Sequence, residues 1–275
     1  MTNAEPFYFG IPLIARAAAR DWDIVERLFA GTLKSVLSQT DRRFHVVLAA
    51  HDLPASWLER GHDDDRFSFF QAPWPVEPPS AANDDGGAKK WLIKQHVLQQ
   101  GGGLLMFVDG DDLVDRRTVE VSRALIHRGA IGGLVSHGVA IDADSGKALA
   151  LPDPVAFQDA FHRLCGSTTV ARLMPDQPDP YEALGSHHSW EERARAEGLE
   201  LVQLPTSGGY IVNTGENHSE TQGPFSAWRR QFSRAVATRG KPLSAALREQ
   251  LGAGETWPPS SGTGLIHTRH SMSEA

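Results

Sequence analysis

The chain has 275 residues, 40% hydrophobic and 22% charged, with a formal net charge of −7 and a pI near 5.9. That length suits one large α/β domain, or one domain with a small appendage, and buries roughly three quarters of the extended surface without staples. The acidic balance argues against a nucleic-acid-binding surface spread over the whole molecule.

Residues 7–13 (FYFGIPL) read as a first strand. Residues 23–38 place Ile24, Leu28, Leu33, Val36 and Leu37 at helical spacing with one buried side, stopped by Gln39, Thr40 and Asp41. Residues 44–50 (FHVVLAA) form a second buried strand that ends in His51 and Asp52. Asp52 there either faces a ligand or caps the next turn. Residues 67–72 are a third strand. Residues 74–87 are irregular, with four prolines near the start (Pro73, Pro75, Pro78, Pro79), and loops of that length are usually functional or disordered. A helix is expected over 89–100, stopped by Gly101, Gly102 and Gly103. Lys89, Lys90 and Lys94 on it either oppose phosphate charge or form a solvated face.

The helix leads into residues 104–112 (LLMFVDGDD). Five apolar residues without alternation indicate a strand buried on both faces of a largely parallel sheet. Asp109, Asp111 and Asp112 then crowd three carboxylates at the strand's carboxyl end, the edge where open α/β sheets bind ligands. Such carboxylates repel one another unless a cation sits among them. Hard oxygen ligands suit Mg²⁺ or Mn²⁺, so the segment predicts a divalent-metal site that holds a diphosphate. Other readings fit less of it. A helix-capping turn needs only one aspartate. An EF-hand loop from Asp109 has Val114 where its turn needs glycine. A haloacid-dehalogenase-type motif has Thr or Val where Leu113 stands.

Residues 115–128 resemble another helix, and 134–141 and 147–151 two strands about a DADSG turn. Strand and helix alternate up to residue 128; beyond it the pattern is strand-rich. The expected organisation is a nucleotide-binding half (1–128) and an acceptor-binding half of the same domain (129–222). A C-terminal helical extension (223–251) and a flexible tail (252–275) follow. Residues 199–204 are a short strand. The extension carries Arg229, Arg230, Arg234, Arg239, Lys241 and Arg248 against Glu249 alone. Such a helix either lies on an anionic membrane face or packs, solvated, on the domain.

The order of these parts resembles the glycosyltransferases of GT-A fold, especially the family-2-type group. The likeness rests on residues 9–13 as first strand, on 28–41 (LFAGTLKSVLSQTD) with its Thr-Leu-x-Ser-Val-Leu-x-Gln-Thr run, on 44–52, and on a helix feeding an Asp-x-Asp motif with an extra Asp. It implies an α/β, Rossmann-like fold, with a central, mostly parallel sheet flanked by helices. It also implies a nucleotide-diphosphate sugar donor (a UDP-sugar above all), Mn²⁺ or Mg²⁺, and a glycan or other hydroxyl acceptor, as in polysaccharide biosynthesis. Pro12, Leu13 and Asp52 would hold base and ribose, and Asp111 the metal. Asp109, Gly110 and Asp112 would complete the donor side, with Lys90 and Lys94 opposing phosphate.

Downstream the sequence departs from the group's Gly-Glu-Asp, whose Asp is the general base: here stand Gly185, Ser186, His187 and His188. Imidazole titrates near working pH, so His187 or His188 can replace that base. Alternatively one histidine binds metal and Glu191 or Glu192 is the base. His218 is a second candidate metal ligand, since several GT-A enzymes add a late histidine. A non-catalytic nucleotide-sugar- or glycan-binding module is the alternative from another class. A nucleotidyltransferase would need a Gly-rich basic loop after the first strand, whereas residues 15–20 contain no glycine. The single cysteine, Cys165, excludes a disulfide framework and fits a cytosolic setting. The amino terminus lacks a signal-like pattern, and no run reaches the ~18 apolar residues of a membrane span. The expectation is a cytoplasmic protein, at most peripheral at the inner face of the membrane.

Overall fold

The computed structural model describes residues 5–61, 64–80 and 82–254. The tail expected to be flexible lies, from residue 255, outside the described residues. The amino-terminal part alternates as β1 (Phe7–Pro12), α1 (Trp22–Leu37), β2 (His45–Ala50), α2 (Ala55–Gly61), β3 (Phe67–Gln71), α3 (Asp84–Gln99) and β4 (Gly103–Phe107). Along β1 the side chains divide by parity. Phe7, Phe9 and Ile11 join Phe29, Leu33 and Val36 of α1 in the main core. Tyr8 joins Ile93 and Val97 of α3 on the opposite face. Gly10 lets α3 approach, since a Cβ there would sit 2.7 Å from Ile93 Cγ2. Asp21 starts α1 by accepting the Asp23 and Ile24 N–H groups.

The chain continues as β5 (Leu113–Val114), α4 (Thr118–Leu125), β6 (Ala130–Val135), β7 (Gly138–Asp142), β8 (Lys147–Leu151) and β9 (Thr169–Leu173). After these come α5 (Pro180–Leu184), α6 (Trp190–Glu197), β10 (Glu200–Leu204), β11 (Gly208–Val212) and α7 (His218–Thr221). The last elements are α8 (Ser226–Arg239), β12 (Lys241–Pro242) and α9 (Ala245–Gln250). A seven-stranded sheet has the order β10-β6-β9-β4-β1-β2-β3, parallel throughout except for β9, which lies antiparallel between β4 and β6. A five-stranded sheet has the order β12-β8-β7-β11-β5. The fold is therefore the expected α/β class, a mostly parallel central sheet flanked by helices.

The acidic segment is the link between the two sheets, because β4 belongs to the larger and β5 to the smaller. Polar residues at the end of α1 and just beyond it fix that link. Ser35 Oγ accepts the Val114 N–H at 3.0 Å and donates to the Leu251 carbonyl at 2.6 Å. Gln39 donates to the Asp115 carbonyl and accepts the Val119 N–H. Both side chains are buried, so the Ser-Val-Leu-x-Gln run acts as a bracket for the chain just after the aspartates.

Several boundaries differ from expectation. Helix α3 starts at Asp84, taking in residues assigned to the loop, because two aspartates in its first turn favour the helix amino end. Helix α4 is shorter than the span 115–128. The strand expected over 134–141 is two strands, β6 and β7, that break at Ser136 and His137 and enter different sheets. The helical extension expected over 223–251 is α8, β12 and α9. A Cβ on Gly240 would lie 2.6 Å from the Val236 carbonyl, and Pro242 has no N–H to continue a helix. On α8, Phe232 and Val236 are buried, while Arg230 donates to the Glu220 carbonyl and Arg239 pairs with Asp153 at 3.2 Å. Among the described residues no helix is long and apolar enough to cross a membrane.

Candidate active site

Strands β1 and β4 run parallel in register, so their carboxyl ends deliver Pro12, Leu13, Asp109 and Gly110 to one edge. The approach is close: a Cβ on Gly110 would lie 2.6 Å from Leu13 Cδ1. The edge opens on a cavity of about 600 Å³ whose lining includes Pro12, Leu13, Lys90, Asp109, Gly110 and Asp111, and from far along the chain His187 and His218.

The three aspartates separate at once. Asp109 has its carboxylate 4.0 Å from Lys90 Nζ. Its backbone N–H donates to Ser167 Oγ at 2.9 Å. Asp111 is partly buried and lines the cavity. Withdrawal from water, then the charges of Asp112 and Asp109, raise its carboxyl well above the usual carboxylate range. Asp112 is buried and accepts from Ser167 Oγ at 2.7 Å, Cys165 Sγ at 3.3 Å and the Ile211 N–H at 3.2 Å. Burial and the Asp109 charge push it up to about 7.

His187 lines the cavity close enough to Asp109 to feel its charge. Its Nδ1 lies 2.5 Å from the His162 carbonyl. Only an N–H can bond a carbonyl, so the neutral ring carries its proton on Nδ1 and its lone pair on Nε2. Burial drives its pKa down to about 4, with the nearby His188 adding to the fall. Gly166 lets the imidazole and Asp109 draw together: a Cβ there would lie 3.3 Å from Asp109 Oδ2 and 3.7 Å from His187 Cδ2. His218 opens α7, where Asn217 caps by accepting the Ser219 N–H. The Tyr210 hydroxyl braces that turn through Ser219 and Asn217.

Six residues expected at the site are not among those lining the cavity. Asp112 is turned inward as described. Lys94 is held by Asp179 at 2.5 Å and Glu182 at 3.0 Å, which neutralise it and tie α3 to α5. Asp52 accepts the Arg16 N–H at 2.8 Å. His188 is exposed. Glu191 lies 3.8 Å from the buried His162 and 3.6 Å from Arg195, and Glu192 pairs with Arg163.

Other residues of the lining have roles that the sequence did not indicate, and Lys89, expected to oppose phosphate charge or to face solvent, does neither. Lys89 is fully buried and donates to the Leu13 carbonyl at 2.7 Å and to Asp85 at 2.5 Å. Asp85 also accepts from Trp74 Nε1, and His51 Nε2 donates to the Trp74 carbonyl. This network ties the proline-rich loop to the end of β1. Tyr210, Glu216, Asn217 and Arg229 also line the cavity. Arg229 stood in the sequence as one cation among six on the extension.

Among the described residues, no group of three or more His, Cys, Asp or Glu is arranged to hold a metal by itself. The donor set fits Mg²⁺ or Mn²⁺ in the manner of a nucleotide site, with one or two protein ligands and phosphate oxygens completing the shell. Asp111, crowded by two other carboxyls, is the oxygen donor such an ion would relieve.

No protein-family model matches the chain, and no curated protein matches it by sequence. Among solved structures it is similar to residues 1–349 of S. aureus TarS in complex with UDP, at 13% identity and a TM-score of 0.47, over 85% of this chain and 71% of that one. It is also similar to 4-diphosphocytidyl-2C-methyl-D-erythritol synthase (11%, 0.42, over 74% and 90%). A third is the inositol-1-phosphate CTP transferase from T. maritima (11%, 0.41, over 86% and 99%). These likenesses concern the path of the chain, and the chemistry of the cavity rests on its own residues.

Proposed function

We propose that the chain is a glycosyltransferase that moves a sugar from a nucleotide-diphosphate donor, a UDP-sugar, to a hydroxyl of a glycan acceptor. One observation carries this reading: carboxylates from the end of β4 and imidazoles from 78 and 109 residues beyond Asp109 meet in one cavity at the carboxyl edge of parallel strands. Pro12, Leu13 and the bound loop around Trp74 form a wall for the base and ribose, and Lys90 opposes phosphate charge. Asp111 with His218 would hold Mn²⁺ or Mg²⁺, which when bound supplies Lewis-acid stabilisation of the departing diphosphate.

His187 is the base in this reading. As the acceptor oxygen forms its bond to the anomeric carbon, the bond from that carbon to the diphosphate oxygen breaks. The electron pair leaves with the nucleoside diphosphate, and the hydroxyl proton passes to His187 Nε2. A single displacement of this kind inverts the anomeric carbon. With a pKa of about 4 the imidazole is a weak base, so proton transfer accompanies bond formation rather than preceding it. UDP release from a panel of UDP-sugars with Mn²⁺ tests the proposal. Asp111→Ala should lower turnover by about a hundredfold or more and leave the circular dichroism spectrum unchanged. Equal turnover by that variant ends the proposal; UDP binding by the wild type without any turnover indicates the non-catalytic module.

A further inference from the structure

Among the described residues, three lysine or arginine side chains line the cavity. Lys89 is spent on Asp85 and the Leu13 carbonyl, and Lys90 stands 4.0 Å from Asp109. Arg229 has no carboxylate within 4.0 Å among the described residues. One guanidinium N–H donates to the Leu164 carbonyl at 3.0 Å, and the remaining donors of the fork make no hydrogen bond there. The group is held in place all the same. Its central carbon lies 5.8 Å from the Tyr210 ring centre and 5.3 Å from that of Trp228. Trp228 in turn stacks at 19° on the buried Phe232.

The position of Arg229 says which substrate it meets. One turn, residues 161–166, offers two carbonyls two residues apart: that of His162 fixes His187, and that of Leu164 fixes Arg229. Arg229 and His187 are thus anchored on the same turn and line the same cavity. A neutral acceptor would expel water from this guanidinium and give it no partner, which is costly. A planar anion matches its fork.

We infer that Arg229 is an anion seat on the His187 side of the cavity, so that the acceptor carries a phosphate or carboxylate next to the hydroxyl that is glycosylated. This rests on the reading of His187 as base.

Calorimetric titration of sn-glycerol 3-phosphate, D-glucuronate and glycerol into protein saturated with UDP and Mn²⁺ tests it. The expected result is saturable binding of at least one anionic probe and none of glycerol, at least tenfold weaker in Arg229→Gln. Arg229→Lys, which keeps the charge and loses the fork, should fall between. It also supplies the answer if Arg229→Gln fails to fold. Failure of the wild type to bind either anion, or equal binding by the folded variants, overturns the inference. So does displacement of the anion by UDP, which would give Arg229 to the donor's diphosphate. The UDP titration that precedes these reports on the transferase reading separately. If UDP does not bind, that reading fails, while an anion bound by the wild type and lost in the variants still marks the seat.

Discussion

Within the acidic segment, Asp109 faces Lys90, Asp111 faces the cavity, and Asp112 is turned onto Ser167, Cys165 and the Ile211 amide. The sequence shows that three carboxylates are crowded, and where; it does not show which of them rotates inward. That depends on β5 pairing with β11, a contact between residues almost a hundred positions apart, which brings the Ile211 N–H to Asp112. The inward carboxyl has a thermodynamic signature. Its pKa is raised to about 7 in the folded state, so between about pH 4 and 7 Asp112 keeps in the native protein a proton that it has lost in the unfolded chain, and its contribution to stability falls as pH rises through that window. His187, lowered to about 4, acts in the opposite direction between about pH 4 and 6.5. The comparison must therefore be between wild type and Asp112→Asn, in which the histidine cancels. Chemical denaturation should show the stability difference moving in the variant's favour, by on the order of 3 kcal/mol, between pH 4 and pH 7.5. A pH-independent difference would mean that Asp112 is ionised throughout.

Elements with a strong local pattern were legible. Strands β1, β2 and β4 are nearly continuous apolar runs because both faces are covered, and α1 has a one-sided apolar spacing. Strand β9 was not legible: it lies in a hydroxyl-rich stretch, and only insertion between β4 and β6 makes it a strand. Lys94 follows Lys90 by one turn of α3, and that spacing alone suggests that both oppose phosphate charge. The same turn geometry points it at α5, where Asp179 and Glu182 wait. Lys94→Met should therefore act on stability. It strands Asp179, which also caps α5 by accepting the Tyr181 N–H, at a cost of roughly 3 kcal/mol. UDP affinity of the folded variant should stay within about twofold of wild type. A tenfold loss of UDP affinity with unchanged stability would restore Lys94 to the donor site.

At the scale of the molecule, the acidic segment is where the large sheet hands the chain to the small one. Ser35 and Gln39 hold it from one side, and Ser167 and Ile211 from the other. The cavity beside it gathers residues from both sides of residue 128, and its lining from Tyr210 to Arg229 could be located only by folding the chain. In the proposed transferase a dication at Asp111 grips a diphosphate in this cavity. Isothermal titration of UDP into the wild-type chain with Mn²⁺, into the same chain with a chelator, and into Asp111→Asn with Mn²⁺ tests that claim most directly. Saturable binding in the first case, weakened at least about tenfold in the other two, is the predicted result; equal affinity in all three, or no binding by the wild type with Mn²⁺, would contradict it.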